Sequence, residues 1–148
     1  MRRPALLDVN VLVALFDAAH VHHEAAHDWF SDNRKGGWAT CAITENGFLR
    51  VLTNPKSGVT ERAPAIIHSL RAFCASGHHV FWPDVLSLRD ELFDLSVAQG
   101  HRQVTDIYLL GLATKMGGAL ATFDRSIPLK AVKNARAETL AVVASVAD

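Results

Sequence analysis

Apolar positions along this chain follow two different rhythms. Short, continuous apolar runs fall at residues 5–8, 38–42, 80–82, 119–123 and 139–143. Their length and content suit buried strands. Between them lie longer stretches with helical spacing. Val9, Leu12, Val13 and Phe16 mark one stripe, and Ala25, Ala26, Trp29 and Phe30 a second. Phe48, Leu49 and Leu52 give a third; Ile66, Ile67, Leu70, Phe73 and Cys74 a fourth; Leu88, Leu92 and Leu95 a fifth. Residues 106–116 are apolar almost all round, which predicts a helix sandwiched between other elements and ended by Gly117-Gly118.

Strands that alternate with helices predict a parallel sheet covered on both faces. The gaps of roughly thirty residues after the first two strands leave room for two helices in each crossover. The expected architecture is α/β: a three-layer α/β/α open sandwich around a mainly parallel four- or five-stranded sheet. No repeat, low-complexity tract or linker interrupts it, so one domain is expected over residues 1–148. Ligands of such sheets bind beyond the carboxyl ends of the strands, where strand order reverses.

Composition narrows the classes. About half the residues are apolar (49%) and 20% are charged, so no disorder signature exists. The opening, Met1-Arg2-Arg3-Pro4-Ala5-Leu6-Leu7, starts like a leader peptide, but Asp8 and Asn10 break the apolar stretch at once. No uninterrupted apolar run is long enough to span a membrane, and a cytoplasmic protein is expected. Cys41 and Cys74 sit in apolar segments and read as reduced packing residues. The formal net charge is zero, which argues against a charge-driven coat on nucleic acid. It leaves room for a nuclease, whose acids offset a basic rim in the sum.

Four acids occupy one kind of position. Asp8 closes the first strand. Glu45 opens a helix after the second, with Thr44 as expected N-cap. Asp106 opens the apolar helix behind Thr105, and Asp124 follows the fourth strand. All four can therefore gather at one edge of one sheet. Taken singly, each is explained by helix capping and dipole effects. Asp8 and Asp106, however, are embedded in apolar sequence, where an unpaired acid is costly. Gathered carboxylates repel by about 1 kcal/mol per close pair even in water. A divalent cation relieves this best, and all-oxygen ligands select Mg²⁺ or Mn²⁺ over Zn²⁺. The chemistry such a site points to is phosphodiester hydrolysis.

The same residues carry a family resemblance. Leu7-Asp8-Val9-Asn10-Val11-Leu12 resembles the opening of PIN domains. Residues 44–52, 104–109 and 121–124, with Glu45, Asp106 and Asp124, resemble their later acid segments. The similarity is greatest to VapC-type toxins of bacterial toxin–antitoxin pairs, and it extends through Trp38-Ala39-Thr40-Cys41 and Asn54-Pro55. It implies Mg²⁺ or Mn²⁺ held around Asp8, Glu45, Asp106 and Asp124, with Asn10 and Thr122 supporting the site. It also implies an RNA substrate, a homodimer and a cognate antitoxin, VapB-like, whose C-terminal segment occupies the cleft.

Other residues were weighed by the same physics. His23 and His27 have an i, i+4 ligand spacing, but no Cys or regular third ligand accompanies them, so the 20–27 histidines read as structural or solvent-exposed. Arg50, Lys56, Arg62, Arg102, Lys115 and Arg125 are phosphate candidates among ordinary solvated cations; Arg125 adjoins Asp124. Trp29, Trp38 and Trp82 read as core. Two rivals remain. A haloacid-dehalogenase-type phosphatase also places an Asp after its first strand, but its second acid would fall at Asn10. A catalytically inactive PIN-like module binding RNA or protein would not need the acids.

Overall fold

The computed structural model describes residues 3–144; Met1 and Arg2 of the leader-like opening lie outside them. The strands are β1 (Ala5–Leu7), β2 (Trp38–Cys41), β3 (His79–Trp82), β4 (Ala119–Thr122) and β5 (Leu140–Val142). The helices are α1 (Val9–Phe16), α2 (His23–Asn33), α3 (Ala42–Thr53), α4 (Ala63–Cys74) and α5 (Gln103–Lys115). The strands form one five-stranded sheet in the order β3-β2-β1-β4-β5, and every pairing is parallel. The expected α/β sandwich is therefore observed, with two helices in each of the first two crossovers.

Alternation along β1 explains the two cores. Ala5 and Leu7 face a layer built from α1 to α4, with Leu12, Phe30, Trp38, Phe48 and Leu70. Leu6 faces the opposite way, with Ala39 and Leu120, onto Ile107, Leu109 and Leu110 of α5. Each fully buried Leu or Ile side chain contributes about 1.5–3 kcal/mol. α5 is buried from Ile107 to Ala113 because it lies between the sheet and the segment carrying Leu86, Leu92 and Phe93. Gly117, at φ +71°, ends it in the left-handed conformation. A Cβ at Gly118 would collide with the Pro4 carbonyl oxygen and the Trp82 ring, so glycine is needed where β4 begins.

Three local expectations are corrected. The stripe of Leu88, Leu92 and Leu95 forms no α-helix; only a short 3₁₀ turn, Leu95–Val97, appears there. Turn chemistry wins: Ser87 N–H donates to Asp90 Oδ2 (3.2 Å), and Phe93 pairs in a single antiparallel bridge with Val132. Thr44 is not the N-cap of α3. Cys41 is, and the Thr44 hydroxyl instead accepts from the Cys41 N–H (2.9 Å). Thr105 is no cap either, because α5 already begins at Gln103, which places Asp106 within its first turn.

The histidines find a structural use. α1 ends with carbonyls that lack partners inside the helix. His23 Nδ1 donates to the Ala14 carbonyl (2.7 Å) and His27 Nε2 to that of Leu15 (2.8 Å). Their helical spacing thus serves to dock α2 on the end of α1. Cys41 and Cys74 are both free thiols, and Trp38 and Trp82 are core residues, while Trp29 is half-buried. Among the described residues no helix is long and apolar enough to cross a membrane.

Candidate active site

The β1–β4 register decides where the first acid goes. Leu7 pairs with Ala121, so the next residues, Asp8 and Thr122, stand side by side at the carboxyl edge of the sheet. Asp8 is the N-cap of α1 and is only 5% exposed. The Val9 N–H donates to its Oδ1 (2.7 Å), and the Thr122 hydroxyl donates to its Oδ2 (2.7 Å). Thr122 Oγ1 in turn accepts from the Asp124 N–H (3.1 Å). One hydroxyl therefore fixes the Asp8 carboxylate and the backbone that carries Asp124. Asp124 is held further by Ser126, whose N–H and hydroxyl donate to Oδ1 at 2.8 and 2.6 Å.

Asp106 reaches the same place from the other layer, on the first turn of α5. Its carboxyl is pushed up to about 7, first by burial and then by the charges of Asp8 and Asp124. Burial likewise raises Asp8, against the hydrogen bonds from Thr122 and Val9, and Asp124 adds to the rise. Asp8, Asp106 and Asp124 are thus one electrostatic unit carrying more negative charge than its surroundings compensate.

Glu45 behaves differently. Its Oε2 accepts from the Thr40 hydroxyl (2.7 Å), and its charge is felt at Cys74 and His79 rather than at the aspartates. The Thr40 hydroxyl has one proton, so His79 Nε2, 2.8 Å away, donates to the Thr40 oxygen. Burial lowers the His79 imidazole, with Glu45 pulling the other way. The structure therefore brings three of the four expected acids together and seats the fourth on a separate His79–Thr40–Glu45 chain.

Does this set fit a hard cation? Among the described residues no three His, Cys, Asp or Glu side chains converge closely enough to grip an ion as they stand. The chemistry of the donors nevertheless fits. All are oxygens, and Asp106 is pushed up to about 7 by burial and then by the uncompensated charges of Asp8 and Asp124. Asn10 adds an orphan: its Oδ1 is buried with no hydrogen-bond partner among the described residues, while its Nδ2 lies 3.5 Å from Thr122 Oγ1. A buried carbonyl oxygen beside crowded carboxylates is an arrangement that a divalent cation satisfies. Asp8, Asn10 and Asp106 border one cavity of about 340 Å³, with Val9, Val13, His20 and Val51.

A model of one family, the PIN domain, matches residues 5–133. The chain belongs to the PIN-domain family. Three curated relatives of this PIN domain come from Mycobacterium tuberculosis (strain ATCC 25618 / H37Rv). Ribonuclease VapC44 is 43% identical over 140 residues, covering 94% of this chain and 99% of the relative. Ribonuclease VapC38 is 48% identical over 126 residues, with 83% and 86% covered. Ribonuclease VapC39 is 44% identical over 125 residues, with 83% and 90% covered.

Sequence reasoning passed over several residues of this PIN domain. Ser126 orients Asp124 through an Asp-x-Ser turn, but the same turn recurs at Asp94 and Ser96 away from the acids. That pattern therefore signals a turn and not a site. His79 gave no local signal, since it meets Thr40 only through the fold, and His20, weighed with the 20–27 histidines as structural or solvent-exposed, reaches the acidic cavity. Arg125 is exposed next to Asp124, and Arg50 is exposed at a second cavity of about 490 Å³ lined by Val9, Asn46 and Thr105.

Proposed function

We propose that this PIN domain is an endoribonuclease using Mg²⁺ or Mn²⁺, and that it acts in the cytoplasm as the toxin of a toxin–antitoxin pair. The observation that carries the reading is the coupled trio Asp8, Asp106 and Asp124, with Asp106 near 7 and the Asn10 carbonyl oxygen orphaned beside it. The names of its relatives, all ribonucleases of the VapC type, support the substrate class. Asp8, Asp106, Asp124 and the Asn10 oxygen would hold the ion, with Glu45 as the fourth acid by its position at the start of α3. When bound, the ion supplies Lewis acidity toward a phosphate oxygen and a water.

The rest is done by the protein. Thr122 holds the Asp8 carboxylate and Ser126 that of Asp124, so less side-chain entropy is lost when substrate arrives. Asp106 would have to give up its proton to hold a cation, which would couple binding to pH. Val9, Val13 and Val51 give the cavity an apolar side opposite its acids. Arg50, at the adjoining cavity that Val9 also borders, is placed to take a flanking phosphate. Exposed Ile43 and Val51 on α3 suit an apolar segment of an antitoxin, and a homodimer is expected as the working unit. The substrate that fits is a single-stranded loop of a folded RNA, where backbone and bases are free to be drawn in.

The test is cleavage of a mixed pool of folded RNAs by the purified protein with Mg²⁺ or Mn²⁺, beside an EDTA control. Discrete cuts that disappear with EDTA are expected. Cuts that persist in EDTA would remove the metal from the reading, and RNA binding without cutting would leave a binding module. A finer expectation concerns Thr122→Val, which keeps shape but deletes the hydroxyl. Cleavage should fall by about 10–100-fold, as when partners that orient metal ligands are removed. Unchanged rates in this variant would mean that Thr122 does not position the acids.

A further inference from the structure

We propose that His20 is a specificity-determining residue of this site: its ring, braced by Phe123 and His22 at the rim of the acidic cavity, takes a nucleobase of the RNA strand beside the phosphate being cut. The inference rests on the ribonuclease reading and deepens it by naming the side chains that meet the base.

Placement is the first support. His20 lies in the loop between α1 and α2, yet it borders the same cavity as Asp8, Asn10 and Asp106. Base and phosphate of one nucleotide hang from one sugar, so a base contact near the cut must lie this close to the acids. A cavity of about 340 Å³ is of the size that small ligands occupy.

The rings supply the second. His20 lies nearly parallel to Phe123, with centroids 6.3 Å apart and planes 18° apart. His22 packs on Phe123 at 4.7 Å and stands 5.8 Å from His20. Phe123 directly precedes Asp124, so the platform and one acid leave β4 on the same turn. Val21, between the two histidines in sequence, is 85% exposed. Aromatic platforms of this kind hold unpaired bases by stacking.

Hydrogen bonding supplies the third. The His22 N–H donates to His20 Nδ1 (3.0 Å), so the neutral ring carries its proton on Nε2. That N–H has no protein acceptor among the described residues and, lying in the ring plane, is available to a sugar hydroxyl or to the edge of an adjacent base while the ring face stacks. Burial, and then His22, lower the His20 imidazole, with Asp17 opposing. A neutral ring is suited to stacking and donating, not to neutralising a phosphate. The loop is also preorganised: Ala19 N–H donates to Asp17 Oδ1 (3.0 Å), His20 N–H to the Asp17 carbonyl (2.9 Å) and His23 N–H to the His20 carbonyl (3.0 Å).

The experiment compares the full chain with His20→Ala and His20→Phe on short single-stranded RNAs carrying 2-aminopurine at successive positions. Fluorescence quenching and Kd are read in an Asp8→Asn background, and kcat and KM with Mg²⁺ or Mn²⁺ in the active protein. Stacking predicts a quench at one position next to the cut. His20→Ala should lose it, raise Kd and KM by roughly tenfold and relax base preference there, whereas His20→Phe should keep the quench. If His20→Ala leaves quench, KM and preference as in the parent, this inference is overturned while the ribonuclease reading stands. If both variants lose kcat at unchanged KM, His20 moves protons instead of holding a base. A parent protein that neither cuts nor quenches overturns both readings.

Discussion

Asp8→Asn is expected to lower RNA cleavage by about a thousandfold while the melting temperature changes by only a few degrees. The substitution preserves shape and the hydrogen bond from Val9; it gives up the one from Thr122, and it removes one charge from a buried, crowded site, so the two effects on stability oppose each other. With that charge gone, the repulsion that helps hold Asp106 at about 7 is reduced. Stability and activity therefore move in opposite or unequal directions, the usual signature of a group retained for function at a cost to the fold. Cleavage of a defined RNA beside a thermal melt measures both. Retained cutting would remove Asp8 from the site, and a melt lowered as much as the activity would make its role structural.

Stability of the metal-free protein should fall as pH rises from about 4 to about 7 through the contribution of Asp106. The unfolded carboxyl titrates near 3.8, the folded one near 7. Below pH 4 both states hold the proton and the contribution is complete. Between the two values only the folded state holds it, so each step up in pH favours unfolding until the folded carboxyl ionises near 7. Asp8, also raised, adds to the same slope. Asp106 is half-buried, and solvent screening limits the effect to about 3–6 °C of Tm. Asp106→Asn should melt higher than the parent at pH 8 and match it near pH 4. Mg²⁺ or Mn²⁺ should raise the parent's Tm more at pH 8 than at pH 5, because ion and proton compete for the same oxygens. Melting curves from pH 4 to 8 that coincide for parent and Asp106→Asn would refute the coupling.

The legible parts of this protein were those in which one pattern had no competitor. β1 and α5 are apolar enough that only burial explains them, and Asp8 and Asp106 stood out because nothing in such sequence pairs with an acid. The stripe at Leu88, Leu92 and Leu95 misled because leucine spacing carries no record of turn chemistry; Ser87 and Asp90 satisfy each other's backbone locally and the chain never coils. The caps misled for a related reason. Thr44 bonds Cys41 from inside the helix, a role that residue type alone does not separate from capping. Glu45 shows the limit for the site itself: its place in the chain is regular, yet its carboxylate is drawn to Thr40, whose partner His79 arrives from another strand.

The middle strand of the sheet is the first to be synthesised, and that order has a consequence for a protein that cuts RNA. β1 leaves the ribosome early and pairs with β2 soon after, but its other edge stays open until β4 appears. The hydroxyl that orients Asp8 lies 114 residues downstream, and Asp124 lies beyond it. A nascent or prematurely ended chain therefore carries Asp8 without the groups that complete it. Such high-separation pairing is slow to form. The trio of aspartates is complete only after β4 has been translated and paired with β1.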